Sequence, residues 1–202
     1  MTTFVLATAN ADKAAEIREV LTACGPPLRL EARDPSIPEI EEGGATLEEN
    51  ARLKAATLCA ATGYPAIADD TGLEVDALGG APGVRSARFA GEDATYADNC
   101  ALLLELLAGV EPARRTARFT TVAIARWPDG REVAAIGTVE GSIAEAPRGS
   151  GGFGYDPLFV PVDGDGRTFA EMGAEKHALS HRGRAFRTLA DGLQVFAATG
   201  DC

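Results

Sequence analysis

Apolar positions in the first third of the chain follow a strand–helix–strand–helix order. Residues 3–8 form an apolar run typical of a buried strand, and apolar residues then recur at helical spacing until Gly25, where a helix end is predicted. Residues 28–33 indicate a second strand, followed by a loop rich in proline and glutamate. The T-x-x-E sequence at 46–49 has the spacing of a capping box and predicts a helix that continues to about Thr62.

The middle of the chain is patterned for strands separated by glycine-rich loops. Residues 65–68 indicate a short buried strand that ends at the acidic sequence DDTG. The glycine-rich segment after it leads to a capped helix from Thr95 to about Ala108, and residues 115–127 alternate as in a long strand.

The last third of the chain completes the predicted fold. The turn Pro-Asp-Gly at 128–130 predicts a hairpin whose second strand extends to about Ile143. A second glycine-rich loop, GSGGFGYDP, precedes the short strand LFVP, and from about Phe169 the chain has helical patterns with one apolar stripe. Mixed strands, a long hairpin and interspersed helices indicate an α/β protein with a mixed sheet.

The formal net charge of −11 restricts the choice of partners. Such an excess of negative charge argues against non-specific binding to nucleic acid or to a membrane surface. A polyanionic substrate would need a locally basic cleft, a bound divalent cation, or both. No apolar run approaches the roughly 20 residues of a membrane helix, and no basic segment precedes the N-terminal apolar stretch, so a cytoplasmic location is expected.

Cysteine and histidine are too sparse to suggest a zinc centre. The four cysteines lie far apart without C-x-x-C spacing, and three of them fall in helical patterns where a reduced, packed thiol is expected: Cys24, Cys59 and Cys100. With only two histidines, His177 and His181, any metal should be a hard cation held by carboxylate oxygens.

Lysine is rare in this chain, which has three lysines, Lys13, Lys54 and Lys176, and sixteen arginines. A lysine retained in an arginine-rich chain can mark a position that needs a compact ammonium on a flexible stem, and chance is an equal explanation. Lys54 falls on the apolar face of its predicted helix. A lysine there more often snorkels to water, and the functional alternative is an ammonium that points into a cleft and meets phosphate.

The sequence TANADK joins the first strand to the first helix, at a position that attracts phosphate. Backbone N–H groups and the helix dipole favour an anion at such an N-terminus, and Lys13 adds positive charge. The alternative is that Asn10 serves only as the helix N-cap. Neither the P-loop pattern nor the Rossmann glycine pattern occurs, so both of those classes lose support.

Two acidic pairs are candidates for a magnesium site. Asp69 and Asp70 directly follow a predicted buried strand, where ligand sites of α/β sheets form, and adjacent acids there are unfavourable without partners. Glu41 and Glu42 lie in the proline- and glutamate-rich loop, for which a solvated acidic loop is the alternative. Magnesium held by one or two carboxylates plus substrate phosphates suits this set.

Two segments in the last quarter of the chain are candidates for binding a base. Phe153 and Tyr155 lie among four glycines, and aromatic rings on such a backbone suit stacking, which contributes about 1–3 kcal/mol per base. A simple turn cluster is the alternative. Lys176, His181 and Arg182 concentrate hydrogen-bond donors further along, with a solvated basic helix face as the alternative.

Five ordered blocks join these signals into one pattern that covers nearly the whole chain. They are LATANADKAAEI, EEGGATLEENARLKA, AIADDTGLEVDALGGAPGVRSARFAGEDAT, GGFGYDPLF and EKHALSHRGRA. The sequence resembles the inosine-triphosphate pyrophosphatase family, which removes deaminated purine nucleotides. The resemblance implies a single domain over residues 1–202, an elongated mixed sheet flanked by helices, two lobes with a central active-site cleft, and a homodimer.

The resemblance also assigns roles to individual residues of this chain. Asp70 matches the family's magnesium ligand and general base, and Glu42 matches a further metal-associated acid, with Glu41 as the alternative. The other matches are substrate contacts, namely the triphosphate-binding turn Thr8, Ala9, Asn10, Ala11, Asp12 and Lys13, a second triphosphate contact at Lys54, the substrate-contacting Thr71, the base-holding Phe153, Gly154, Tyr155 and Asp156, and Lys176, His181 and Arg182 of the purine pocket.

The sequence departs from the family pattern at two places. Ala9 stands where the family usually has glycine or another residue that tolerates a tight turn, which puts the geometry of the phosphate loop in question. The run at 172–175 is slightly shorter than usual before Lys176, and the spacing from Lys176 to His181 still matches.

The implied reaction is magnesium-dependent hydrolysis between the α- and β-phosphates of ITP, dITP or XTP, which releases pyrophosphate and the monophosphate. Hypoxanthine and xanthine present a 6-oxo acceptor to the donors His181 and Arg182, whereas the 6-amino group of adenine would leave donors opposed. One rival is a related pyrophosphatase for pyrimidine or other modified nucleotides, and the order of the FGYD and SHR blocks argues against it. The other is a non-catalytic nucleotide-binding regulator, which would not need Asp70 and Glu42.

Overall fold

The computed structural model of the chain describes residues 2–38, 40 and 42–198. Strands and helices alternate in the first half, and the chain ends in helices. The strands are β1 Thr2–Leu6, β2 Leu28–Ala32, β3 Ala66–Val75, β4 Pro82–Gly83, β5 Thr116–Arg126, β6 Glu132–Ile143 and β7 Phe159–Pro161. The helices are α1 Ala11–Cys24, α2 Leu47–Thr62, α3 Tyr96–Leu106, α4 Lys176–Leu179 and α5 His181–Ala198.

Within the described residues, seven strands form one mixed sheet in the order β2-β1-β3-β5-β6-β7, with β4 paired to β3. Strand β1 pairs in parallel with both β2 and β3, in a register that sets Thr2 opposite Leu28 and Val5 opposite Ala66. The pairs β3–β4 and β6–β7 are antiparallel. The prediction of an α/β protein with a mixed sheet is confirmed.

The chain divides into two compact units. Unit 1 comprises the described residues of Met1–Asp70, Thr121–Gly137 and Arg182–Cys202, and unit 2 comprises Thr71–Thr120 and Thr138–His181. The division of β3 falls between Asp70 and Thr71, so the two acidic residues of this strand belong to unit 1.

Unit 1 has helices on both faces of its part of the sheet. Successive residues of a strand point to opposite faces, and the two cores follow this alternation. Phe4 packs in a core with Ile17 of α1 and Phe186 of α5. Its neighbour Val5 packs in a second core with Leu58 of α2. Helices α1 and α5 therefore cover one face, and α2 covers the other.

Unit 2 is built around a core rich in aromatic residues. Leu103 of α3 is fully buried in it, together with Phe159 and Phe169. The rings of Phe119 and Phe159 lie 4.8 Å apart between centroids, and those of Phe159 and Phe169 lie 5.1 Å apart, distances typical of paired aromatic side chains. This core supports the glycine-rich segment that was predicted to bind a base.

Polar residues fix the starts of the three long helices in the first half of the chain. The Asn10 side chain accepts from the backbone N–H groups of the first turn of α1. Thr95 and Asp98 form a complete capping box at α3. At α2 only half of the predicted box is present, because the Glu49 carboxylate accepts from the N–H of Ala45 and not from that of the N-cap residue.

Strand β3 differs from its prediction in length. It was expected to end before the acidic sequence DDTG, whereas the ten-residue strand runs through this sequence to Val75. Aspartate is disfavoured in strands, but here both Asp69 and Asp70 are buried and paired with cationic side chains, and these contacts outweigh the local preference. The two carboxylates therefore lie within the strand, not in a loop after it.

Other sequence-based predictions agree with the structure. The β5–β6 hairpin closes through a turn in which the N–H of Trp127 donates to the carbonyl of Arg131, and Gly130 adopts a left-handed φ of 93°. Cys24, Cys59 and Cys100 are free thiols in helices, as predicted, and Cys202 lies outside the described residues. Among the residues that the structure describes, no helix combines the length and apolar character needed to cross a membrane.

Candidate active site

The buried ammonium of Lys54 is the centre of the first polar cluster, in unit 1. Its Nζ lies 2.8 Å from Oε1 of Glu42 and 2.8 Å from Oδ1 of Asp70. The amide of Asn50, one helical turn earlier on α2, donates to Oδ2 of Asp70 at 3.1 Å. Lys54 is 8% exposed, so its ammonium does not reach bulk water as a snorkelling lysine would.

A second polar cluster surrounds Asp69 on the opposite face of the sheet in unit 1. Nζ of Lys13 lies 3.8 Å from Oδ2 of Asp69. The buried guanidinium of Arg182 contacts the same carboxylate oxygen at 3.4 Å and donates through Nη1 to Oε2 of Glu16 at 2.6 Å. Glu16 is on α1 and Arg182 opens the unit 1 part of α5, so this cluster ties both helices to β3.

The two aspartates have opposite electrostatic environments. Burial raises the pKa of Asp70, and repulsion from Glu42 adds to this, while Lys54 opposes it. Burial would also raise the pKa of Asp69, but Lys13, Arg182 and Lys54 more than offset it and hold this pKa at about 2. Asp70 is therefore the better proton acceptor of the two, and Asp69 stays ionised at neutral pH.

The lysines also differ from each other. Burial lowers the pKa of Lys13, and the attraction of Asp69 only partly compensates. For Lys54, burial lowers the pKa as well, but Asp70, Asp69 and Glu42 together raise it above its ordinary value. The Lys54 ammonium is thus held as a permanent positive charge beside two carboxylates.

The predicted triphosphate-binding turn precedes α1 in unit 1. The N–H groups of Asp12 and Lys13 donate to Oδ1 of Asn10, and the N–H of Asn10 donates to Oγ1 of Thr8. Asn10 is therefore the N-cap of α1, and whether it also binds phosphate stays a prediction. Ala9 and Ala11 are exposed, with no non-glycine residue in the described chain at positive φ. The turn at Ala9 therefore does not depend on glycine.

The carboxylates of Glu42 and Asp70 have the chemistry that magnesium prefers. Both accept from one ammonium at 2.8 Å, which brings two oxygen donors within reach of a single small cation. No group of three or more His, Cys, Asp or Glu side chains suited to a metal occurs among the described residues. A magnesium ion that keeps its waters and takes substrate phosphates as further ligands requires no third acid. Glu41, the alternative metal ligand, lies outside the described residues.

The predicted base-holding segment is in unit 2, where Asp156 organises it. Oδ2 of Asp156 accepts from the backbone N–H of Phe153 at 2.9 Å and from Nζ of Lys176 at 2.7 Å. Gly152 has a φ of 68°, and a Cβ at this position would collide with the Asp156 carboxylate, so only glycine permits this contact. The ammonium of Lys176 also lies 5.0 Å from the centroid of the Phe153 ring, a cation–π contact.

The remaining predicted residues of unit 2 are mostly buried. Tyr155 donates its hydroxyl to the carbonyl of Ser86 at 2.9 Å and thereby anchors the segment to the loop after β4. The ring of His181 is stacked on Phe119, 4.4 Å between centroids. Lys176 and His181 are each 3% exposed, so they do not form a solvated basic face. Thr71 follows the acidic pair in β3 and is half-buried.

The structure sorts the predicted residues into two groups. Unit 1 holds the acids and cations expected to act on the triphosphate, and there Arg182 contacts Glu16 and Asp69. Unit 2 holds Phe153 with the other residues expected to bind the base.

Sequence reasoning missed two buried polar residues of unit 1. Asn50 has a spacing signal, because it precedes Lys54 by one helical turn and so shares its face. Glu16 follows Lys13 by three positions on α1, but its partner Arg182 is 166 positions away. No local pattern reveals such a pairing.

These features define an α/β protein equipped for a phosphate-bearing ligand, with buried acids and ammonium groups in one unit and an aromatic, glycine-rich segment in the other. Comparison with known proteins agrees with this class. The model of the Ham1 family matches residues 4–192. The chain belongs to the Ham1 family.

Individual relatives extend over nearly the whole chain. A dITP/XTP pyrophosphatase of Thermus thermophilus is 52% identical over 186 residues, 92% of this chain and 88% of the relative. A dITP/XTP pyrophosphatase of Streptomyces coelicolor is 48% identical over 192 residues, 94% of this chain and 96% of the relative. The solved structure of a HAM1 protein from Coxiella burnetii superposes with a TM-score of 0.86 at 41% identity, covering 96% of this chain and all of that one.

Proposed function

We propose that this protein hydrolyses the triphosphates of deaminated purines, dITP, ITP and XTP, to the monophosphate and pyrophosphate. The observation that carries the proposal is the buried Lys54 ammonium, which is held between Glu42 and Asp70 on one face of strand β3. On the other face of β3, Lys13 contacts Asp69. The names of the Thermus and Streptomyces relatives support the choice of substrate.

The residues of unit 1 would serve the triphosphate. Lys13 and Lys54 would offset the negative charge that develops on the departing pyrophosphate, which is the main requirement of phosphoryl chemistry. Asp70 would orient the attacking water and accept its proton, since its pKa is raised whereas that of Asp69 is lowered. Asp69, in contact with Lys13 and Arg182, would keep the ammonium of Lys13 in place.

Glu42 and Asp70 would hold magnesium. When bound, the ion would neutralise phosphate oxygens and so supply positive charge that an anionic protein lacks. The two carboxylates would then be shared between the cation and Lys54, and Asn50 would keep the Asp70 carboxylate oriented through its amide.

The residues of unit 2 would bind the base. The ring of Phe153 would stack on the purine, and Lys176 and His181 would be donors toward its 6-oxo group. Arg182 was predicted to act beside His181, and its contacts with Glu16 and Asp69 favour a role in arranging the acids of unit 1.

The deciding experiment is pyrophosphate release from ITP and XTP, with ATP, GTP and dTTP as controls, in the presence and absence of MgCl2. We expect release from ITP and XTP only when magnesium is present. Preferential cleavage of dTTP would instead support the rival pyrophosphatase for pyrimidine nucleotides, and binding of ITP without any release would support a regulator.

The variant Asp70→Asn tests the assignment of the proton acceptor. The side chain keeps its size, and its one amide oxygen can still accept from Lys54 or from Asn50, so the fold should persist. We expect turnover of ITP to fall by a factor of about 100 or more, the contribution typical of a positioned general base. A variant with wild-type turnover would refute the role of Asp70.

The proposal includes a homodimer that acts on free nucleotides in the cytoplasm. The net charge of −11 supports a small-molecule substrate in preference to nucleic acid. Size-exclusion chromatography with light scattering measures the oligomeric state, and a monomer at micromolar concentration would contradict that part of the proposal.

A further inference from the structure

Helix α3 of unit 2 contacts the base-holding segment with two residues of one face. The ring of Tyr96 lies 6.0 Å from the ring of Phe153, tilted by 39°. One turn further, the thiol of Cys100 donates to the carbonyl of Gly154 at 3.4 Å. Residues four positions apart lie on the same side of a helix, so α3 presents Tyr96 and Cys100 together to consecutive residues of the segment.

The orientation of the Phe153 ring depends on such outside contacts. Phe153 is flanked by Gly152 and Gly154, with φ of 68° and 62°, conformations that L-residues with side chains rarely adopt. The peptide on either side therefore carries no side chain that could confine the ring. Lys176, over the ring at 5.0 Å, and Tyr96 both help to confine it.

Tyr96 is itself held firmly by its helix, although the residue is 42% exposed. It is the first residue of α3, directly after the N-cap Thr95, whose capping box with Asp98 is complete. Asn99 on the same helix accepts from the N–H of Ala90 and donates to the carbonyl of Ala87, which fixes the helix to the preceding loop. The Tyr96 ring thus stands on a fixed helix next to the ring of Phe153, whose neighbours in the chain are both glycines.

We propose that Tyr96 is a positioning residue for base binding, which holds the Phe153 ring in the orientation that stacks on the purine. This inference rests on the proposed function, because it takes Phe153 as the stacking residue. A ring that is already confined loses less conformational freedom when the nucleotide binds, and this gain appears as affinity for the base. The chemical step, carried out by residues of unit 1, is not affected.

The test compares Tyr96→Ala with Tyr96→Phe and with Tyr64→Ala. Tyr64 is a matched control, since it is an exposed tyrosine of unit 1 at 58% exposure. We expect Tyr96→Ala to raise the KM for ITP about two- to twelvefold, the range that an aromatic pair is worth, with kcat unchanged. Tyr96→Phe keeps the ring and should restore the wild-type KM, and Tyr64→Ala should not change it.

Tripolyphosphate serves as a probe that lacks a base. Its inhibition constant against ITP hydrolysis should be the same for wild type and Tyr96→Ala. If both ITP and tripolyphosphate bind more weakly to the variant, or if kcat falls with KM unchanged, the effect is a general structural one and the positioning role is wrong. An unchanged KM in Tyr96→Ala also overturns it.

Calorimetric titration of ITP into the Asp70→Asn protein, with and without Tyr96→Ala, separates this inference from the proposed function. If wild type binds ITP without hydrolysing it, the proposed function fails, and the ratio of the two dissociation constants still decides the role of Tyr96. If wild type hydrolyses ITP and the ratio is one, only the role of Tyr96 fails. If ITP neither binds nor reacts, both are refuted.

Discussion

Removal of the Lys54 ammonium tests whether its contacts with Glu42 and Asp70 stabilise the folded protein, as their geometry indicates. In Lys54→Met the apolar stem of the side chain is retained, and the charge between Glu42 and Asp70 is lost. Each of the two contacts at 2.8 Å corresponds to about 6 kcal/mol of attraction at an effective dielectric constant of about 20, before the unfavourable desolvation of the ions is counted.

The net effect is smaller than this attraction and still large. Breaking a buried ion pair by removing one partner destabilises a protein by about 3–5 kcal/mol, because the other charge stays buried without compensation. With a urea m-value of about 2 kcal/mol/M, the unfolding midpoint should fall by about 1.5–2.5 M. Urea unfolding of wild type and variant, followed by circular dichroism, measures this shift.

Arg52→Met is the matched control, because Arg52 is on the same helix as Lys54, two positions earlier. Its side chain is 41% exposed and contacts Glu48 and Glu132 at the surface. Exposed ion pairs contribute about 0–1 kcal/mol, so this variant should unfold close to wild type. The double variant Lys54→Met/Asp70→Asn also removes the more deeply buried of the two orphaned charges, that of Asp70, and should recover part of the lost stability.

Two results would refute this reasoning. A midpoint for Lys54→Met that matches the one for Arg52→Met would mean that the Lys54 contacts are not worth more than surface pairs. A double variant no more stable than Lys54→Met would mean that the loss does not come from the uncompensated Asp70 carboxylate.

Three further predictions concern the phosphate loop, a helix end and a buried thiol. Ala9→Gly should leave the KM for ITP within about twofold of wild type, because the turn needs no positive φ at this position. A KM many times lower than that of wild type in steady-state assays would contradict this. Arg115→Met should destabilise the protein by about 2–4 kcal/mol in urea unfolding, since the buried Arg115 guanidinium donates to the carbonyls of Leu107 and Val110 after α3, and an unchanged midpoint would show that water replaces it. Burial raises the pKa of the Cys100 thiol to about 11, with Asp156 adding to it, so only about one thiol in a thousand is ionised at pH 8, and ionisation grows as the pH rises toward that value. Iodoacetamide followed by peptide mass spectrometry should label Cys100 in urea and not in the native protein, and equal labelling would contradict its burial.

Local patterns along the chain were sufficient to predict most of the secondary structure. Strand β1, the capped helix α3 and the β5–β6 hairpin were predicted because short-range rules of periodicity, capping and turns act within a few residues. Strand β3 was predicted too short, because its aspartates are poor strand residues by themselves. Their burial depends on Lys54 and Arg182, which are remote in sequence.

The candidate site was predicted in its residue types more than in its contacts. The family pattern pointed to Lys54 and Asp70 separately, and the structure places their side chains in direct contact. The partnership of Arg182 with Glu16 and Asp69 was not predicted, because charge complementarity over such a separation has no signature in one sequence. The same holds for Tyr96 and Phe153, which are brought together only by the packing of α3.

Because Asp69 and Asp70 occupy consecutive positions of one strand, the proposed catalytic chemistry depends on the alignment of that strand. A shift of β3 by a single residue would turn each acid to the opposite face of the sheet. Asp69, now held by Lys13 and Arg182, would face α2, and Asp70, now held by Lys54, would face α1 and α5. Deletion of one residue just before Asp69 should therefore abolish turnover even where the helices still assemble, because Thr71 would take the place of Asp70 beside Lys54. Enzymatic activity in this family member is a stricter criterion of correct folding than the presence of its secondary structure.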